Sequence, residues 1–360
     1  MILESLRRTG VDFFVMYATS ANPDLFYVSR IKLYDPAIYL VGTDGTELLV
    51  VPKIEKRRVG LASRVKEIAS FEDLGYKEKV REVGPKKAIS EILVSLLKEG
   101  RCRKVLLPDD FPAFLAVELS NHFEIKFGNP IRELRSIKTK AEVEKIVEVS
   151  NAILLTFNWL IKNFKFKKCE EIRNAIESKL LSMGYLAENT ISSSGKISAD
   201  PHEIGHGEVF DHVLVDIFPK SLKTNYYSDF TRTVFVKDNK DLFEMYEAVV
   251  EAQSKAIGKI RDGVDGRDVH ETVKATLEDY GYKTTSEEGF LHSTGHGIGL
   301  ELHEDPRIGD QSVTLKSGMI VTVEPGLYYK DVGGVRVEDV VLVKRDSCEV
   351  LTNFPKFIRI

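Results

Sequence analysis

The sequence predicts an α+β protein in two parts: an α/β part, then a larger part built on an internal repeat. Three observations carry that prediction. Apolar strand-like runs alternate with amphipathic segments over the first 130 residues. Two helical segments of the second part match one another at a fixed offset. Two apolar strands, also in the second part, each end in an acid. At 360 residues the chain exceeds what one hydrophobic core normally organises, since single cores stop growing near about 250–300 residues. The domains are read as 1–132 and 133–360.

In the first part, Phe13–Tyr17, Ala37–Val41, Glu47–Val51 and Val105–Leu107 are rich in apolar β-formers and bounded by Gly, Asp and Pro, the pattern of buried strands. Residues 86–99 carry apolar side chains at helical spacing. Asn22-Pro23-Asp24 reads as a turn, and no catalytic constellation is visible. Lys138-Thr-Lys-Ala-Glu142 then opens a long amphipathic helix whose apolar face includes Ile146, Phe157 and Ile161.

The second part repeats. Residues 172–185 and 269–282 share apolar positions at Ile172/Val269, Ile176/Val273 and Leu180/Leu277, and both end in Gly-Tyr. Apolar residues four apart, closed by glycine, predict a helix with one buried stripe and a C-terminal stop. A second correspondence joins His212–Asp216 to Met319–Glu324. Each is an apolar strand ending in an acid, and each is followed by a further acid, Asp229 and Glu338 respectively.

Composition narrows the function. The net charge of −4, without a long run of one sign, argues against nucleic acid. No apolar run reaches the roughly 20 residues of a membrane span, and the charged N-terminus lacks a signal-peptide core. Cys102, Cys169 and Cys348 form no CxxC pair and read as reduced thiols of a cytoplasmic protein.

Four carboxylates brought together in a sheet would repel one another and raise each other's pKa. Divalent cations convert that cost into a coordination sphere. The segment HSTGHGIGLELHEDP, residues 292–306, supplies three histidines within twelve residues, among glycines whose spacing misses the dinucleotide fingerprint. His296, with a glycine on either side, is the natural fifth ligand. Carboxylates plus one imidazole suit manganese, cobalt, iron or zinc better than calcium or magnesium.

Taken in order, Asp216, SDFTRT around Asp229, TGHGIGLELHE, VEPGLYY and GVRVED resemble the motifs of the pita-bread metallopeptidases. That family includes prolidase (Xaa-Pro dipeptidase), aminopeptidase P and methionine aminopeptidase. The resemblance covers the second half strongly. It reaches the first half more weakly, where prolidases and aminopeptidases P carry a comparable creatinase-like α/β domain. It implies a pita-bread domain with a pseudo-twofold repeat and a curved, mainly antiparallel sheet. It also implies two divalent ions, manganese or cobalt foremost with zinc or iron as alternatives. Asp229 and Glu338 would bridge the ions, Asp216 would hold one, and His296 and Glu324 the other. A hydroxide between the ions would attack the peptide carbonyl.

The resemblance gives Glu324 a proton-shuttling role and places His202 and His303 beside the substrate carbonyl. Arg336 orients substrate or a ligand. His206, His212 and His292 receive no assigned role, and His122 and His270 sit in helix-like stretches as structural residues. Asn225–Tyr227 and Tyr328 are candidates for the pocket lining. The spacing between Asp216 and Asp229 is longer than the family's commonest, which predicts a larger hairpin tip. The implied activity is hydrolysis of Xaa-Pro bonds by a homodimer, as a dipeptidase, with aminopeptidase P as the alternative. The rivals are a metal-free creatinase-like hydrolase and a protein-binding pita-bread domain, and the intact ligand set argues against both.

Overall fold

A computed structural model describes residues 2–360. Contacts divide the chain between Arg135 and Ser136 into two compact units.

The first unit is a six-stranded mixed sheet in the order Glu67–Ser70, Glu47–Val51, Ala37–Gly42, Phe13–Ala18, Lys104–Leu107, Glu124–Phe127. Its predicted strands are all present, and Pro85–Glu99 is the helix expected over 86–99. Asn22 departs from expectation. Its side chain accepts from the Asp24 and Leu25 amides and caps a helix over Pro23–Ser29, so the Asn-Pro-Asp signal marks a helix start with Pro at its first position. His122 also differs, lying in the turn after the Ala113–Ser120 helix.

The second unit opens with the helix Lys140–Lys162, where Thr139 and Glu142 form a reciprocal capping box. Three further α-helices, Cys169–Ser182, Lys240–Lys259 and Gly266–Asp279, accompany two principal sheets. One runs Ile358–Arg359, Thr231–Phe235, His212–Asp216, Ile191–Ser194; the other runs Glu304–Ile308, Gly295–Gly297, Ile320–Val323, Asp339–Val343, Cys348–Val350. All pairings in this unit except that of Thr231–Phe235 with Ile358–Arg359 are antiparallel. The Glu338 amide donates to the Thr231 carbonyl at 3.0 Å and joins the two sheets.

The repeat is structural. Cys169–Ser182 and Gly266–Asp279 are both fourteen-residue helices that bury the matched positions. Each is followed by a left-handed glycine, Gly184 at φ 89° and Gly281 at φ 87°, the conformation that lets a helix stop without a Cβ clash. The long segment between Asp216 and Asp229 forms a small ribbon. Its Lys220–Ser221 strand pairs with Tyr185–Leu186 and bridges back to Tyr227.

Candidate metal centre

The two half-repeats deliver their acids to one place. Asp216 ends the strand His212–Asp216, and Asp229 lies just before Thr231–Phe235, its antiparallel neighbour. Glu324 follows Ile320–Val323, and Glu338 precedes Asp339–Val343, which are likewise neighbours. Asp229, His296 and Glu338 are buried, with ligand atoms within 4.8 Å of one another. His296 Nε2 lies 3.2 Å from Glu324 Oε1 and 3.9 Å from Asp229 Oδ2.

Glycine makes the histidine strand possible. It runs between Glu304–Ile308 and Ile320–Val323, so close that a Cβ on Gly295 would come 1.9 Å from the Thr322 carbonyl oxygen and one on Gly297 2.2 Å from that of Asp305. The imidazole Nδ1–H donates to the Gly297 carbonyl at 3.0 Å, which turns Nε2 towards the acids. A backbone partner on the far nitrogen is the usual way a ligating histidine is fixed in one tautomer. Thr322 accepts from the His296 amide and donates to Glu324 at 3.0 Å each, coupling two of the acid- and base-bearing positions.

The electrostatics are those of a crowded anionic site. Asp229 and Glu338 are pushed well above the ordinary carboxylate range, first by burial and then by the neighbouring carboxylates. Burial also works against ionised Glu324, but the hydrogen bond and charge of His296 outweigh it and bring the carboxyl down to about 2. His296 rises in turn, because Glu324 and Asp229 overcome the effect of its burial. Two buried carboxylate oxygens, Asp216 Oδ1 and Glu338 Oε1, accept no hydrogen bond. Buried anionic oxygens without donors are costly. Together with a buried imidazole, these carboxylates match the donor set for a divalent transition ion.

Asp216 is the member set apart. Its Oδ2 accepts from the Arg336 guanidinium at 2.6 Å. Arg336 also donates to the Tyr328 hydroxyl at 2.7 Å and to the Pro201 carbonyl at 3.3 Å. It thereby ties Asp216 to the loop that carries His202. His292 Nε2 receives the Tyr328 hydroxyl at 2.9 Å while its Nδ1–H donates to Ser293, so Tyr328 and His292 stand behind the acids. His303 is exposed, with its ring 4.3 Å from that of His296, and His202 is exposed as well. His206 pairs loosely with Glu203, away from the acids. His212 is wholly buried on the strand leading to Asp216, and His270 is a buried helix residue bonded to Thr294.

Sequence reasoning missed Arg307. It faces His296 directly across the strand pair, is exposed, lowers the pKa of His303 together with burial and His296, and makes no ion pair among the described residues. Only the strand register brings it to the site, so no spacing rule could have found it.

The family model for metallopeptidase family M24 matches residues 141–345. The chain belongs to metallopeptidase family M24. Members are peptidases that work with divalent metal ions, and the donor set fits that requirement. The chain is 31% identical to an Xaa-Pro dipeptidase of Pyrococcus horikoshii over 98% of its own length and 95% of the relative's. It is 35% identical to an uncharacterized peptidase of Methanocaldococcus jannaschii over 62% of this chain and 66% of that one. A solved Xaa-Pro dipeptidase from Bacillus anthracis superposes with a TM-score of 0.85 at 26% identity, covering 99% and 98% of the two chains. The M24 sequence match and this superposition establish the pita-bread fold. Among the described residues, no helix is long and apolar enough to cross a membrane.

Proposed function

We propose that this M24 peptidase is an Xaa-Pro dipeptidase whose centre holds two divalent ions, manganese or cobalt foremost. The reading assigns the cytoplasm as its location and a homodimer as its assembly. The first unit takes the creatinase-like role and the second the catalytic one. The observation that carries the reading is the convergence of acids from both half-repeats on one imidazole, in a chain similar over its whole length to an Xaa-Pro dipeptidase.

Asp216, Asp229, His296, Glu324 and Glu338 would hold the ions, with Asp229 and Glu338 shared between them. When bound, the ions supply Lewis acidity and lower the pKa of water towards neutrality. Glu324 is the proton carrier. It is the least buried of the four acids, its side chain 17% exposed, and as a carboxylate at the edge of the site it accepts the proton of attacking water. It then returns that proton to the leaving nitrogen, which in an Xaa-Pro bond carries no hydrogen of its own. His303 and His202, at the exposed rim, donate to the carbonyl oxygen as charge gathers on it. Arg336 holds the Asp216 carboxylate and the His202 loop in register.

Arg307 favours a dipeptide. A dipeptide carries its free carboxylate one residue from the scissile bond, and an unpaired guanidinium beside His303 and His296 is a complementary partner for it. The test is hydrolysis of Xaa-Pro and Xaa-Pro-Yaa peptides by metal-stripped protein resupplied with manganese, cobalt or zinc. Cleavage of dipeptides alone supports the reading. Preferential cleavage of the tripeptide would move the assignment to aminopeptidase P, and cleavage of neither would remove the proline assignment.

A further inference from the structure

Against the backbone of the acid-bearing strands lies a second, buried polar cluster. Arg232 has a fully buried side chain, and every one of its five N–H groups is used. Nε donates to the Pro355 carbonyl at 3.2 Å. One terminal nitrogen donates to the Thr231 and Glu338 carbonyls at 2.9 and 2.6 Å. The other donates to Asp339 Oδ1 at 2.7 Å and to the Phe354 carbonyl at 3.0 Å. The guanidinium also lies 4.3 Å from the centre of the Phe230 ring. Asp339 accepts in addition from Thr352 and from Gln253 Nε2, each at 3.2 Å. The second Gln253 N–H donates to the Val323 carbonyl at 2.9 Å.

These bonds fall on the backbone beside three of the acids. Thr231 is two residues after Asp229, the Glu338 carbonyl is held directly, and the Val323 carbonyl belongs to the peptide that enters Glu324. Fixing a carbonyl fixes its peptide plane, and with it the direction in which the neighbouring side chain leaves the strand.

We propose that Arg232, Asp339 and Gln253 are a positioning unit, which sets the separation of Asp229, Glu324 and Glu338 and so sets the affinity of the centre for metal. The inference rests on the metal-binding reading above. A well-packed apolar set at a buried ion pair is often as stable as the pair itself or more so. Gln253 also keeps its Oε1 buried without a partner, a cost that its two N–H bonds at the site strands offset. Stability alone does not explain such a cluster, whereas control of ligand geometry does. Outer partners of ligands typically shift metal affinity by about 10–100-fold.

The experiment is calorimetric titration of metal-stripped full-length protein with manganese alone, alongside melting of the metal-free and metal-loaded forms. Gln253→Leu and Asp339→Asn are the variants, with Arg232→Lys as a third. Tyr246→Phe is the comparison: its hydroxyl donates to the Lys356 carbonyl from the same helix as Gln253, and the substitution keeps the ring that packs edge-on against Phe235. The positioning role requires a loss of manganese affinity of about tenfold or more in Gln253→Leu and Asp339→Asn, with Tyr246→Phe shifting only the melting temperature. Affinities within twofold of the parent in both, whatever their melting temperatures, would overturn it. If Asp339→Asn fails to fold, Gln253→Leu decides alone. Should the parent protein bind no manganese, the metal-binding reading has failed, which is a different result from a parent and variants that bind equally.

Discussion

The two half-repeats supply matching acids but hold them differently. In the first, Asp216 is gripped at the carboxylate itself by Arg336, and Ser228, just before Asp229, is bonded through its hydroxyl to Ser150 on the Lys140–Lys162 helix at 2.8 Å. In the second, Gln253 and Arg232 hold the backbone at Val323 and Glu338, and threonine hydroxyls reach the carboxylates, Thr231 at Glu338 Oε2 (2.8 Å) and Thr322 at Glu324 Oε1 (3.0 Å). Among the described residues, Asp216 alone of the four acids carries a guanidinium on its carboxylate. Duplication supplied the symmetry of the strands, and the buried polar side chains around them made the two sides unequal. One side is tied to a guanidinium and the His202 loop, and the other to threonine hydroxyls and an imidazole.

The largest expected effect comes from the acids proposed to be shared. Asp229→Ala and Glu338→Ala should each lose at least one metal ion per chain and cut dipeptide hydrolysis by well over the roughly 100-fold typical of outer-shell changes. Metal analysis beside a rate assay checks this, and near-normal activity in either variant would break the assigned sharing. Next comes His303→Ala, which should lower kcat by about 100-fold or more while metal content stays near that of the parent protein. Loss of metal in that variant would make His303 a ligand instead.

The pH dependence of loading sharpens the contrast. Without metal, Asp229, Glu338 and His296 all have pKa values raised above their ordinary ranges, so they retain protons that metal must displace. Manganese affinity should therefore rise with pH through the neutral range, with protons released on binding. Titrations in two buffers of different ionisation enthalpy would measure that release. An affinity independent of pH would mean that the site is already deprotonated.

A smaller effect concerns stability. Burial lowers His212 from its ordinary value of 6.5 to about 4. Its Nε2–H reaches Ser198 and the Gly334 carbonyl at 3.0 Å each, and Nδ1 has no partner. The unfolded chain binds a proton below about 6.5 and the folded one only below about 4, so this group removes stability as the pH falls through that window. The loss is on the order of 3 kcal/mol. Denaturant unfolding at several pH values should show a shallower decline for His212→Asn than for the parent.

Much of this was legible in the sequence. The repeat showed in its paired Gly-Tyr endings because a left-handed stop demands glycine. The acids showed because each ends an apolar run. What lay hidden depended on register or on tertiary context. Arg307 reaches the site only through its pairing with His296, Asn22 reads as a turn until the helix behind it is seen, and nothing in SDFTRT marks Arg232 as a buried hub. Arg336 was visible only through its place two residues before Glu338; its grip on Asp216 and the His202 loop required the structure.

The most direct test counts manganese ions bound by stripped protein while Xaa-Pro dipeptide hydrolysis is followed in the same titration. The account requires two ions per chain, with activity rising as they load. Full hydrolysis by the metal-free protein, or no bound manganese at saturation, would contradict it.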